Sequence, residues 1–234
     1  MKTTIRFGLL LIVAASVGCS TTPTFQQGPG AEVTHDGLTR LDNTVMDAVW
    51  ARTDIDLSEY NKIMFDGVGI EFREVEGPYS GRAGAGTSIS RRSNQTEFAL
   101  DEETQALFRK EIGEAFAEEM GESKVYTIVD EPGHDVLLVR GGLLDVVSRI
   151  PPETVGRSRV FLDSVGEATL VLEIRSSVSN TIYARAVDRR AMEQKGLMIE
   201  SNRATNRAEV RRLGRQWARI LREGLEQLMS GGGS

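Results

Sequence analysis

The chain has one cysteine, Cys19, and two histidines, His35 and His134, in 234 residues. One thiol cannot close an internal disulfide, so a core must hold the fold. The two histidines lie far apart in sequence, and no Cys/His spacing matches a zinc site. No Gly-x-Ser-x-Gly elbow occurs, which removes the common α/β serine hydrolase arrangement. Gly81, Gly84 and Gly86 with Arg82, Arg91 and Arg92 lack the Gly-Lys-Ser/Thr ending of a nucleotide loop. Cations are also scarce: 28 Lys and Arg stand against 34 Asp and Glu, a formal net charge of −6 that argues against wholesale nucleic-acid binding. No apolar run reaches the ~20 residues of a membrane-spanning helix. These absences lead to the expectation of no cofactor, no metal and no enzymatic centre.

What is present begins at the N-terminus. Lys2 and Arg6 precede an apolar run from Phe7 to Val17, interrupted by Gly8 and Ser16. A basic start, a short apolar core and a small residue before the cut predict an export signal over 1–18. The segment Ser16-Val17-Gly18-Cys19 resembles the lipobox of bacterial lipoproteins, although Ser16 replaces the usual leucine. That resemblance implies lipidation of Cys19, hence a membrane partner through several acyl chains. Ser20 follows where aspartate would direct inner-membrane retention, so the implied address in a Gram-negative host is the periplasmic face of the outer membrane.

Residues 19–55 read as the lipidated N-terminus and a tether, because Thr, Gln, Gly and Pro dominate with little apolar periodicity. Residues 56–229 read as one α+β domain, and 230–234 as a flexible Gly-rich tail. Within the domain, 77–98 and about 151–164 are polar and predict long loops.

The remaining stretches have clear periods. Lys62 to Phe72, Lys124 to Val129 and Val136 to Val147 predict strands, with a bulge or bend at Gly141-Gly142. Glu167 to Arg175 alternates, with Ala168, Leu170, Leu172 and Ile174 on one face. Turn residues over 176–180 then return it through Thr181 to Arg190 as a hairpin. Asp101 to Met120 predicts a helix with Asp101 as cap and Phe108, Ile112, Phe116 and Met120 on one face. Asn206 to Met229 predicts a second, with Asn206 and Glu209 as a capping box. Its expected buried stripe is Val210, Leu213, Trp217, Ile220, Leu221, Leu225 and Leu228. The expected fold is a two-layer α+β sandwich: a mixed sheet of about five strands, two amphipathic helices on one face. A parallel strand–helix–strand crossover should come first. Val136 to Val147 is apolar at almost every position, so a loop or partner is expected over the second face.

Asp56-Leu57-Ser58-Glu59-Tyr60-Asn61-Lys62-Ile63-Met64-Phe65-Asp66 resembles the opening of a bacterial lipoprotein family known as domain of unknown function 3313. Val129-Asp130-Glu131-Pro132-Gly133 and Ala186-Val187-Asp188-Arg189-Arg190 resemble it in the same order, and Trp217-Ala218 falls where that family has a helix. The resemblance spans about Asp56 to Leu228 and implies a lipoprotein without established catalytic residues.

Two groups of side chains suggest chemistry. Asp66, Asp130, Asp145 and Asp188 offer carboxylates, of which Asp66 and Asp145 are placed on neighbouring strands. Arg207, Arg211, Arg215 and Arg219 recur every four residues on the last helix, flanked by Arg212 and Arg222. Such a stripe suits an anionic surface, or it is a solvated outer face balanced by Glu223, Glu226 and the acidic first helix. The functional expectation is an envelope accessory module that binds another protein. An enzyme or ligand-binding module acting on cell-wall or lipid material is the alternative.

Overall fold

The computed structural model describes residues 22–54, 56–75, 97–149, 164–193 and 203–230. The expected signal, Cys19, most of the two predicted loops and residues 231–234 lie outside the described residues. The elements are β1 (Thr24–Phe25), β2 (Thr39–Asp42), β3 (Ala48–Ala51), β4 (Lys62–Phe72), α1 (Glu102–Met120), β5 (Thr127–Ile128), β6 (Val136–Ser148), β7 (Ser164–Ser176), β8 (Ile182–Glu193) and α2 (Arg203–Met229). The protein is α+β, and its described residues form one mixed eight-stranded sheet in the order β1-β2-β3-β8-β7-β6-β4-β5.

The expected centre of the sheet is there. β4 pairs parallel with β6 across the α1 crossover. β6, β7 and β8 pair antiparallel. The β7–β8 turn bonds Asn180 N–H to Ser176 O at 3.0 Å, and Asn180 takes a left-handed φ of 57°, which asparagine tolerates.

Three expectations are corrected. The sheet has eight strands rather than about five, because part of the expected tether is folded into it. β3 pairs with β8 through Ala48↔Val187 to Ala51↔Ala184, and β2 and β1 follow. Leu38 is fully buried, and Met46 and Val49 belong with the main core. Short strands punctuated by Gly37 and Asn43, both at positive φ, hid this unit from a periodicity reading. The bulge near Gly141-Gly142 lies instead in the facing strand, between Asp66 and Gly69 of β4. The two glycines allow close approach: a Cβ on Gly142 would fall 2.7 Å from Gly69 O, and one on Gly141 2.7 Å from Val171 O. Finally, α2 begins at Arg203, so Asn206 is helical, and Glu209 pairs with Arg212.

The ladder registers place Ile63, Leu137, Leu143, Leu170, Leu172 and Asp188 on one face. Both helices supply that core, through Phe108, Ile112 and Met120 of α1 and Leu213, Trp217, Leu221, Leu225 and Met229 of α2. Met229 is buried and Leu228 is 46% exposed, since four residues beyond Leu225 point inward and three do not suffice here. Asp101 caps α1, its Oδ1 accepting from Thr104 N–H at 2.8 Å. At the helix contact, Gly214 of α2 stands so near α1 that a Cβ would meet Ala115 Cβ at 2.9 Å. Ion pairs advance together along both helices, Arg207 to Glu111 and Arg222 to Glu119, so the helices run parallel.

The opposite face carries a polar row across its middle. Cross-strand registers line up Asp66, Arg140, Glu173, Arg185, Trp50 and Arg40 across six strands. Arg140 donates to Asp66 at 2.5 Å, Arg185 to Glu173 at 2.9 Å, and the Arg40 guanidinium lies 4.7 Å from the Trp50 ring centroid. Alternating charge across a sheet stabilises neighbouring strands. The apolar second face expected for β6 is thus broken by Arg140 at its middle and covered there by ions.

Candidate functional site

The C-terminal ends of β4, β6 and β8 and the start of β7 lie at one end of the sheet. At that end the chain passes from described residues at Val75, Arg149 and Glu193 and returns at Glu97, Ser164 and Arg203. The described ends of these three connections therefore lie along one rim. Loops carried on the rim of a rigid sheet are the usual place for binding residues.

A cluster of ions fixes that rim. Arg73 follows β4 and its N–H bonds to Val146 O at 2.8 Å, extending the ladder by one residue. Its guanidinium reaches Asp145 at 2.6 Å, Glu97 at 2.6 Å and Glu167 at 2.8 Å. Glu167, only 11% exposed in its side chain, also accepts from Arg189 at 2.5 Å and Arg149 at 3.2 Å. Asp145 gets its aim from a bulge between Leu144 and Val147, where it adopts a φ of 59°. A bulge re-aims side chains in this way.

The electrostatics follow from this packing. The Asp145 hydrogen bond raises the Arg73 pKa above the ordinary arginine value, against burial. Asp145 is lowered, first by its hydrogen bond to Arg73. For Glu167 burial acts upward, but hydrogen bonds from Arg189 and Arg73 outweigh it and its pKa is lowered. These carboxylates are held ionised by arginine, the state that suits a clasp rather than a proton donor.

The sequence-predicted groups separate. Asp66 and Asp145 do lie on neighbouring strands, as expected, but each is bound by its own arginine, Arg140 and Arg73. Asp188 is buried, accepting from Trp217 Nε1 at 2.7 Å and Asp47 N–H at 3.1 Å and pairing with Arg190. Asp130 is not part of the rim cluster. His35 and His134 are exposed, and no group of metal-ligating residues occurs among the described residues.

Of the four stripe residues, Arg207 pairs with Glu111, Arg211 with Glu111, Glu114 and Glu118, Arg215 with Glu118, and Arg219 with Glu119. Their acidic partners all come from α1. The stripe joins the helices, and the charge that recommended it for an anionic surface is answered within the chain.

Of the rim arginines, Arg73 and Arg149 were not singled out by the sequence, and Arg189 entered only within the family-resembling segment Ala186 to Arg190. One signal was present: Arg73 directly follows the predicted strand Lys62 to Phe72, and Arg149 lies two residues past the predicted end of Val136 to Val147. Their shared partner Glu167, however, lies on a third strand.

The model of the family described as protein of unknown function (DUF3313) matches residues 33–221. Among solved structures, the chain is similar to the PelC dodecamer from Paraburkholderia phytofirmans, at 8% identity over 74% of this chain and 96% of that one, with a TM-score of 0.34. It is similar to protein XCC0632 from Xanthomonas campestris, at 8% identity over 78% and 91% with a TM-score of 0.35. It is also similar to protein CT253 from Chlamydia trachomatis, at 10% identity over 73% and 98% with a TM-score of 0.34. No curated protein matches the chain.

Proposed function

The chain belongs to the DUF3313 family of proteins of unknown function, and from that premise we propose that it is a lipid-anchored accessory protein of the bacterial envelope. In this reading Cys19 carries the acyl chains, Ser20 directs the protein to the outer membrane, and the domain faces the periplasm. Its work is to bind another envelope protein, without catalysis.

The observation that carries the binding reading is the shared rim. The described ends of three connections lie at one end of the sheet, and Arg73 and Glu167 join Glu97, Arg149 and Arg189 beside them. A preorganised base lowers the ordering cost of any loops that engage a partner. The carboxylates a hydrolytic reading would need are there, yet Asp66 and Asp145 are each held by an arginine.

The test is crosslinking in intact cells with the full lipidated chain, tagged within 77–98, followed by mass spectrometry. The expected result is one envelope protein recovered in near-equal amount. Recovery of the bait alone, or of bait with glycan, overturns the reading. A parallel fractionation checks the address: the wild type should sediment with outer membranes, and Cys19→Ala should not.

A further inference from the structure

β8 runs farther than the strand beside it. β3 covers Ala184 to Val187, and then the ladder stops. The stop is built from side chains: Arg189 N–H donates to Asp47 Oδ2 at 2.8 Å, and Asp47 N–H donates to Asp188 Oδ1 at 3.1 Å. β8 continues to Glu193 and remains paired with β7 on its inner side through Ala191↔Glu167. Beyond β3, no strand borders its outer side among the described residues.

Strand alternation fixes what faces outward there. Arg189 directs its N–H away from β7, so Ala191, two residues on and in unbroken register, directs its N–H and C=O the same way. Ala191 is exposed. It opens onto a cleft of about 350 Å³ between the end of β8 and α2, lined by Arg189, Arg190, Glu209, Arg212 and Gln216 among others. Among the described residues, three arginines and one glutamate therefore line this cleft. Arg189 is 54% and Arg212 38% exposed, and among the described residues each has one ion-pair partner, Glu167 and Glu209. Each keeps N–H donors beyond that contact.

This combination is specific. An unpaired strand edge offers backbone hydrogen bonds to an extended chain and nothing to a lipid headgroup. Guanidinium groups hold carboxylates, like phosphates, in bidentate geometry, and the strand edge beside them favours a carboxylate carried on an extended chain. Resting on the interaction reading above, we propose that this cleft receives an acidic, extended segment of the partner protein. The segment pairs its backbone with Ala191 and sets its carboxylates against Arg189 and Arg212. It thus occupies the place beyond Asp47 where β3 gives out.

The experiment places a benzophenone amino acid at Gln216 of the full lipidated chain and irradiates cells of the native host. The expected adduct maps to one Asp- and Glu-rich segment of an envelope protein. Ala191→Pro removes the outward N–H without touching the β7 ladder and should abolish the adduct. Arg189→Glu with Arg212→Glu should reduce it at least tenfold, and circular dichroism checks that each variant is folded. An adduct indifferent to these changes, an adduct to phospholipid or lipopolysaccharide, or no adduct at all overturns the proposal. General crosslinking on the same cells separates the two failures: a partner still captured there leaves the interaction reading standing, and none captured removes both.

Discussion

At the residue scale, Trp217 and Asp188 show how one pair links the layers. Trp217 is fully buried, and its indole N–H donates to a carboxylate that is 2% exposed. Asp188 also receives Arg190 and the backbone of Asp47, so a single acid joins helix, sheet and N-terminal strands. Replacing Trp217 by Phe keeps most of the apolar volume and removes one donor to a charged acceptor. A hydrogen bond to a charged group contributes about 1.5–3 kcal/mol. Urea unfolding of Trp217→Phe should show a loss of that order with an unchanged m-value. A loss below ~0.5 kcal/mol, within the range of neutral surface substitutions, would mean the indole N–H is unimportant.

At the element scale, the decisive addition is β1 to β3. They lengthen the sheet past β8, bury Leu38 and bring Asp36 to Arg185 at 2.9 Å. A chain beginning at Arg52 would bare the β8 edge from Ala184 to Val187 and leave Asp188 without the Asp47 N–H. Bare edges pair with one another. Compared with a chain beginning at Thr22, it should melt lower by more than about 5 °C, since ~1 kcal/mol is worth roughly 2–4 °C at this size. It should also self-associate in light scattering. Equal melting of the two chains would restore the tether reading of 22–51.

At the scale of the whole molecule, charge is arranged in three sets: between the helices, across the polar sheet face, and at the rim. Burial raises Glu119, Glu167 and Glu173, yet the arginines facing each outweigh it and all three are lowered below the ordinary 4.5. Asp145 is lowered below 3.8, first by Arg73. A carboxylate with a depressed folded pKa adds stability that is complete above its unfolded value and is lost as pH falls through the folded one. Melting temperature should therefore hold as pH drops toward 4.5 and decline below it. Glu167→Gln should start from a lower value and decline less steeply. A melting curve flat from pH 5 to 2 would show that these pairs do not stabilise the fold.

Period and local chemistry are legible in the residues alone. Alternation at Ala168, Leu170, Leu172 and Ile174 determined the β7–β8 hairpin, and four-residue spacing determined both helices and most of their buried faces. The missing thiols, histidine pairs and nucleophile elbow bounded the chemistry from the outset. Tertiary structure decided everything that depends on two distant segments meeting. Strands of two to four residues have too little period to be read, so β1 to β3 became visible only once β8 offered an edge. The arginine stripe of α2 has one meaning on an isolated helix and another beside Glu111, Glu118 and Glu119. Arg73, Asp145 and Glu167 are ordinary strand residues until a bulge and two ladders bring both carboxylates within 3 Å of the Arg73 guanidinium. Register, not composition, made that rim, because a carboxylate chooses its arginine by distance in space rather than by position in the chain.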